Sequence, residues 1–560
     1  MRLPSSIKRL IRSLVFVGAV VTTMASTAAP AFAIQIGDES PEARAGQKTT
    51  NVIEIRAGEL PGRMVDGDQI DVKGCLRSTI SDSLRPGAVN TTTLSTQDSV
   101  KPGVFLCGDG VAIENQVIIS GQPGDLSRLA ELKTGLQLTA QLVKTNPDQL
   151  RSEDIGLYTI TDGTPLVEKV KTLNLYLRDR MGINVIATPN YETASKRTSV
   201  DGGSPSIGGS PSGPKGLPST EAEFKKQWAF EAISKPVTTT PAYTGKGVVV
   251  GIFDAFCQPA PYLDKEGKVI NVTRYAFIGA QAKTDPKTHK PIEDVCAHGE
   301  FVWSLSHEVA PDAQYFFYPV LDESGLGDTA TLVGSIERFI SNTMALPERK
   351  GMKDLQGVVV NFSLNVNSAQ GDVVRPLQVE IDRLSKLGAV VVGAAGNDSN
   401  TGNGIQPMRL PAAYASVIAV AATQKDNQRA SYSDWVPAGR LDVAAPGGDG
   451  DCRKTKEAPN CVIGKDSSAT KVICRSTNAL GACFGRSIVK TGYRAWSGTS
   501  FATPLVSGLA ALLLEKNKNA ISPLAVAQAL ATNANPAAPA VAGSDEGIGQ
   551  GVINIENTIQ

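Results

Sequence analysis

Val248-Val249-Val250-Gly251-Ile252-Phe253 is an unbroken apolar run, and an acid, Asp254, follows it directly. A half-exposed strand would alternate polar and apolar residues. A run without alternation reads as a strand buried on both faces. Gln314 to Leu321, Gly357-Val358-Val359-Val360-Asn361, Ala389-Val390-Val391-Val392 and Val417-Ile418-Ala419-Val420 have the same character. Helical stretches fall between them at about Leu332 to Asn342 and Val374 to Lys386. This alternation from Gly245 onward predicts an α/β fold, with a mostly parallel central sheet and helices on both faces.

Such sheets gather functional residues at the carboxyl ends of their strands. Asp254 stands at one such end, and Asn397 closes Val390 to Gly396 at another. His298 opens the helix-like stretch His298-Gly299-Glu300-Phe301-Val302-Trp303. Ser500 lies in Ser497-Gly498-Thr499-Ser500-Phe501-Ala502-Thr503-Pro504, a tight turn leading into the apolar helix Leu505 to Leu514. Pro504 costs little in a first turn, where its missing N–H has no intrahelical partner. A hydroxyl there also meets the free amides and dipole that favour developing negative charge. Ser500 alone would read equally well as an N-cap. Together the four residues supply a carboxylate, an imidazole, an amide and a hydroxyl, the inventory of nucleophilic acyl transfer.

The order Asp254, His298, Asn397, Ser500, with Ala394-Ala395-Gly396-Asn397 and Gly498-Thr499-Ser500-Phe501-Ala502-Thr503-Pro504, resembles the subtilisin family of serine proteases. The likeness runs from about Phe224 to Gln560 and includes Val443-Ala444-Ala445-Pro446-Gly447 and Gly547 to Asn554. It implies a serine endopeptidase with Asp254, His298 and Ser500 as triad and Asn397 as oxyanion donor beside the Ser500 amide. It also implies that Ser363-Leu364-Asn365 and Ala394-Ala395-Gly396 flank the residue before the scissile bond, with an extended peptide adding to the former as a strand. Protein or peptide substrates are the implied partners, together with the chain's own propeptide. The family's frequent calcium loop has no room between His298 and Ala310-Pro311, so neither metal nor cofactor is expected.

The sequence departs from the family's pattern in places. Ala255 and Phe256 follow Asp254, Glu300 and Trp303 follow His298-Gly299, and Asn365 stands where Gly is usual. These changes leave open a catalytically impaired, subtilase-like binding or scaffold protein. An esterase of the α/β-hydrolase kind would need a Gly-x-Ser-x-Gly elbow and a nucleophile that comes first, and has neither here. Arg409 falls near the base of the implied pocket, where a guanidinium would shorten the pocket or favour an acidic substrate residue.

The segment ahead of this domain divides by composition. Residues 1–33 read as a secretory signal: Lys8, Arg9 and Arg12, an apolar stretch to Ala25, then Ala31-Phe32-Ala33. That stretch is too short and too interrupted to span a bilayer, so a secreted protein, extracellular or periplasmic, is expected without stable membrane insertion. Residues 34–110 suggest a small β module of unknown role. Residues 111–193 carry a β-α-β-β-α-β pattern, ferredoxin-like, which the resemblance makes a propeptide. Residues 194–222, rich in Gly, Ser and Pro, read as a flexible linker, and 223–560 as the peptidase domain.

Charge is balanced, with 55 basic and 55 acidic side chains, which argues against a nucleic-acid partner. The eight cysteines form four sequence-local pairs: Cys75/Cys107, Cys257/Cys296, Cys452/Cys461 and Cys474/Cys483. Export favours disulfides, though eight cysteines allow 105 connectivities. With no Cys-x-x-Cys and only His289, His298 and His307 in the chain, zinc is discounted.

Overall fold

The computed structural model describes residues 52–55, 110–144, 153–177, 183, 185–195, 221–235, 242–256, 297–322, 325–344, 357–368, 374–399, 405–438, 440–450, 452, 460–465, 470–477, 483–490, 492–518, 520–536 and 547–560. The expected signal, most of 34–110, residues 196–220, His289 and the Cys75/Cys107 and Cys257/Cys296 pairs lie outside the described residues. The side chains of Cys474 and Cys483 do so too.

An antiparallel sheet comes first. Strand β1 (Val52–Ile55) pairs with β2 (Gly110–Gly121), so these four residues extend the sheet that follows. Helix α1 (Asp125–Leu136), β3 (Leu138–Lys144), β4 (Asp154–Ile160), α2 (Leu166–Leu175) and β5 (Val185–Ala194) complete a β-α-β-β-α-β unit with strand order β5-β2-β4-β3. Leu166, Val170 and Leu173 recur on one face of α2 and are buried with Ile118, Leu157 and Val185 of the sheet, as helical spacing dictates.

Short helices α3 (Glu221–Phe224) and α4 (Trp228–Ala232) lead into the larger sheet. Its chain order begins β6 (Val248–Ala255), α5 (His298–Val309), β7 (Gln314–Leu321), β8 (Leu326–Asp328), α6 (Thr329–Phe339) and β9 (Gly357–Phe362). It continues through β10 (Asn365–Val366), α7 (Arg375–Lys386), β11 (Val390–Ala394), β12 (Val417–Thr423) and β13 (Val443–Pro446). Six of these strands form one parallel sheet in the order β13-β12-β11-β9-β6-β7. The sheet's α/β character is thus as the apolar runs predict. Chain direction through the sheet reverses at β6, with β7 on one side and β9 on the other, and that reversal opens a crevice beyond the strand ends.

Side-chain alternation along β6 explains the uniform apolarity. Val248, Val250 and Ile252 pack with α5 and the C-terminal helices, whereas Val249 and Phe253 face the layer that holds α6 and α7. After β13 come β14 (Val462–Lys465), the hairpin β15 (Thr470–Thr477) and β16 (Cys483–Lys490), and β17 (Tyr493–Trp496), which pairs with β14. A disulfide joins Cys452 to Cys461 at the root of this excursion. It docks on α4 and α5: Gln227 exchanges two bonds with Ile463, the Trp228 indole donates to the Cys461 carbonyl, and Lys465 N donates to Ser304 Oγ.

Helix α8 (Thr499–Lys516) threads the core and is buried at every position from Thr499 to Leu514, followed by α9 (Pro523–Thr532) and α10 (Ile555–Ile559). A helix apolar all round belongs inside. Gly508 lets α5 approach it, since a Cβ there would sit 2.6 Å from Val309 Cβ.

The boundary between module and linker differs from expectation. Ala194 and Ser195 are buried, and residues 192–194 of β5 pair with β8 on one side while 193–194 pair with β10 on the other. Backbone hydrogen bonding to the larger domain keeps polar residues ordered that composition alone assigns to a linker.

Candidate active site

β6 delivers Asp254 at its carboxyl end. The side chain is fully buried, and its Oδ1 accepts from Ala255 N at 2.7 Å and lies 2.6 Å from His298 Nδ1. Burial pushes the Asp254 carboxyl above its ordinary range, partly offset by the charge and hydrogen bond of His298. The carboxylate holds the imidazole proton on Nδ1, which leaves Nε2 as an acceptor. Nε2 is buried without a hydrogen-bond partner among the described residues.

His298 is the first residue of α5, and its ring is walled by Phe501 at 5.2 Å and Trp496 at 6.1 Å. Gly299 is required beside it: a Cβ there would meet Phe256 at 2.5 Å and the Ala255 carbonyl at 2.6 Å. The unusual Phe256 therefore turns inward, edge-on to Phe317 at 5.1 Å.

Ser500 sits in the first turn of α8. Its Oγ donates to the Ser363 carbonyl at 3.0 Å, while the Ser363 hydroxyl donates to the Ser500 carbonyl at 2.8 Å. Beneath them, Asn361 Nδ2 donates to Ser363 Oγ at 2.9 Å and Ser507 Oγ donates to Asn361 Oδ1 at 2.9 Å. Asn397 is oriented by α8 as well: its Oδ1 accepts from Thr499 N at 2.9 Å and Thr499 Oγ1 at 2.8 Å. With the carbonyl end committed, Nδ2 is the donor left for a ligand.

Asn365 Nδ2 donates to the Ala394 carbonyl at 3.0 Å and so ties Ser363-Leu364-Asn365 to Ala394-Ala395-Gly396. Arg409 is not a free cation. Its Nε donates to Asp398 Oδ2 at 2.8 Å with both side chains buried, so the acidic-residue preference expected from the sequence loses its basis. A second carboxylate, Asp434, lies alongside. Its Oδ1 accepts from Asp398 N, Ser399 N and Ser399 Oγ at 2.8–3.1 Å, while its Oδ2 is buried without a hydrogen-bond partner among the described residues. Burial and the Asp398 charge push the Asp434 carboxyl well above its usual range, against the pull of Arg409.

All four chemically reactive side chains named from the sequence lie where β6, β11, α5 and α8 meet, although Ser500 Oγ bonds to Ser363 and not to His298. Thr499, Asn361, Ser507 and Asp434 escape sequence reasoning. Asn361 alone leaves a trace there, as the one amide in the apolar stretch Val358 to Phe362.

The sequence profile described as "Subtilase family" matches residues 245–551, more than half of the chain. The chain belongs to the subtilase family. This subtilase is 29% identical to subtilisin E of Bacillus subtilis (strain 168) over 299 residues, 52% of the chain and 61% of that relative. A thermostable alkaline protease of Halalkalibacterium halodurans is 30% identical over 205 residues, 37% of the chain and 41% of the relative. The chain thus spans about 61% of the length of subtilisin E and of subtilisin amylosacchariticus. Fervidolysin from Fervidobacterium pennivorans shares the fold, with a TM-score of 0.50 at 18% identity over 80% of this chain and 61% of that one. Among the described residues no His, Cys, Asp or Glu cluster could hold a metal ion, and no helix is long and apolar enough to cross a membrane.

Proposed function

We propose that this subtilase is a serine endopeptidase, secreted and made as a zymogen whose 111–193 module acts as propeptide. The observation that carries the reading is the buried Asp254–His298 pair at 2.6 Å, with Nε2 uncommitted and the helix-mounted Ser500 nearby on α8. In the reaction, Ser500 Oγ swings from the Ser363 carbonyl to His298 Nε2, loses its proton there and attacks the substrate carbonyl carbon. Asn397 Nδ2 and the Ser500 amide donate to the resulting oxyanion. The imidazolium, steadied by Asp254, gives its proton to the leaving amine, and water then hydrolyses the ester by the same relay. Ser363 to Asn365 and Ala394 to Gly396 hold the substrate strand between them.

A second reading, a catalytically silent scaffold, draws on the Ser500–Ser363 hydrogen bond and on the near-complete burial of all three triad candidates. A fluorophosphonate probe decides between the two. Covalent labelling that Ser500→Ala abolishes supports the peptidase, and folded, module-free protein that does not label supports the scaffold.

A further inference from the structure

In the endopeptidase reading, the residue before the cleaved bond directs its side chain between Ser363-Leu364-Asn365 and Ala394-Ala395-Gly396. What already fills that space decides which side chains fit. Asn365 reaches across it: its Nδ2 donates to the Ala394 carbonyl at 3.0 Å, so one asparagine side chain bridges the two walls. A glycine there would leave the gap open.

The floor beneath the second wall is filled as well. Gly396 packs directly on the Asp434 carboxyl and the Arg409 stem, since a Cβ on Gly396 would lie 2.1 Å from Asp434 Oδ2 and 3.1 Å from Arg409 Cγ. Backbone bonds stitch both residues to the wall: Arg409 N donates to the Ala395 carbonyl at 2.7 Å and Asp434 N to the Gly396 carbonyl at 2.9 Å. Asp398 joins them, its Oδ2 accepting from Arg409 Nε and its backbone N donating to Asp434 Oδ1. All three residues are at most 6% exposed. A pocket deep enough for an aromatic ring would have left them wetted at its base.

This floor does not yield easily. Parting a buried carboxylate from its guanidinium leaves an uncompensated charge, which is strongly destabilising. Forcing extra volume into packed surroundings is resisted too. Nor does the floor offer a spare charge. Asp398 holds the Arg409 guanidinium, and burial together with the Asp398 charge favours the protonated form of Asp434. An acidic or basic substrate side chain meets no counter-charge that is not already matched.

We propose that this subtilase cuts after small uncharged residues, alanine and serine, and that Asn365 and the Arg409–Asp398–Asp434 floor set that limit. The proposal rests on the endopeptidase reading given above. An alanine methyl or a serine hydroxyl needs no depth below Gly396, whereas leucine, phenylalanine and lysine do.

The test reads kcat/KM of the matured protein, its active fraction counted by fluorophosphonate labelling, on tetrapeptide p-nitroanilides that differ only before the anilide: Ala, Ser, Leu, Phe, Lys or Glu. Sites cut in a denatured protein, mapped by mass spectrometry, read the same preference on ordinary peptide bonds. Expected is Ala or Ser ahead of the other four by about tenfold or more, the scale on which a pocket discriminates volume. Arg409→Gly with Asp398→Asn removes both charges of the pair and empties the floor, and the ratio of Phe to Ala is expected to rise about tenfold or more. Arg409→Met with Asp398→Asn loses the same charges but keeps the stem, and Ala is expected to stay ahead, which separates filling from charge. Asn365→Gly, at a half-buried position, is expected to raise Leu relative to Ala several-fold and tests the limit even if the emptied floor does not fold. A wild type that labels but cuts chiefly after Leu, Phe, Lys or Glu overturns the proposal and leaves the endopeptidase standing. Emptied-floor and Asn365→Gly proteins that fold and label yet keep the wild-type ranking overturn the part assigned to these residues. A wild type that cuts nothing overturns the endopeptidase reading and the proposal with it.

Discussion

Ser363 and Ser500 hold each other reciprocally: each hydroxyl donates to the other's carbonyl, at 2.8 and 3.0 Å. Through Ser363 the start of α8 is fastened to Asn361 in the middle strand β9, and through Ser507 back to α8 itself. The backbone of Ser500, the proposed nucleophile, is thus set by a buried polar chain inside an otherwise apolar layer, where every member has to be satisfied for the arrangement to be favourable.

Ser363→Ala leaves the Asn361 amide and the Ser500 carbonyl each short of a partner. A buried polar group left unpaired costs about 1–3 kcal/mol. Urea unfolding of this variant is expected to show a loss of that size, with kcat falling more than KM rises, because the error falls on the nucleophile's placement.

Asp254→Asn keeps the shape of the pair but offers His298 a group that can stabilise neither the Nδ1–H tautomer nor the imidazolium. A fall in kcat of about 10⁴-fold is expected, the size general for this substitution in serine-protease triads. Steady-state kinetics on a peptide substrate check it. Fluorophosphonate labelling should slow in parallel, since the probe needs the same deprotonated hydroxyl.

Asn397→Ala removes Nδ2 and also the acceptor for Thr499 N and Oγ1. The loss of one oxyanion donor costs about 10²–10³ in kcat in subtilisins, and the same range is expected here with KM little changed. Thr499→Val provides the contrast: it removes only the hydroxyl bond to Asn397 and to Gly396 N, so about tenfold is expected, through a less firmly aimed amide.

Much of this arrangement is legible in the sequence because it is local. The run Val248 to Phe253 encodes a two-faced buried strand, and the acid after it must then stand at a strand end. Helix starts at His298 and Thr499 are equally local. Partnerships formed across the fold leave no such mark. Asp434 reads as one polar residue in a loop, and only the folded chain sets it under Gly396 beside Asp398. Arg409 looks like a free cation until Asp398, eleven residues earlier, proves to hold it. Ala194 and Ser195 carry linker composition, yet pairing with β8 and β10, more than 130 residues away, makes Ala194 strand, and the Gly325 carbonyl holds Ser195 beside it. The Glu192 carboxylate is hidden for the same reason.

Glu192 sits at the junction of β5 with the larger domain, nearly enclosed, with one carboxylate oxygen accepting from Asn367 Nδ2 at 2.8 Å. Asp328 opposes it across β8, and Asp322 adds a second negative charge nearby. Burial first, and Asp322 with it, push the Glu192 carboxyl up to about 7, against the lowering pull of Asn367. A carboxyl raised in the folded state binds its proton more tightly there than when unfolded, so stability is highest at low pH and falls as pH rises from about 4.5 to about 7. At about 1.4 kcal/mol per unit this amounts to about 3 kcal/mol at most. Asp328 and Asp254, also raised by burial, act with the same sign. Thermal unfolding of uncut Ser500→Ala protein is therefore expected to show a midpoint that drops by several degrees between pH 5 and pH 8. Adding Glu192→Gln should remove the Glu192 share of that drop, with the gain in midpoint larger at pH 8 than at pH 5. Equal slopes in the two proteins would mean that Glu192 is solvated and that the junction between β5 and β8 is open.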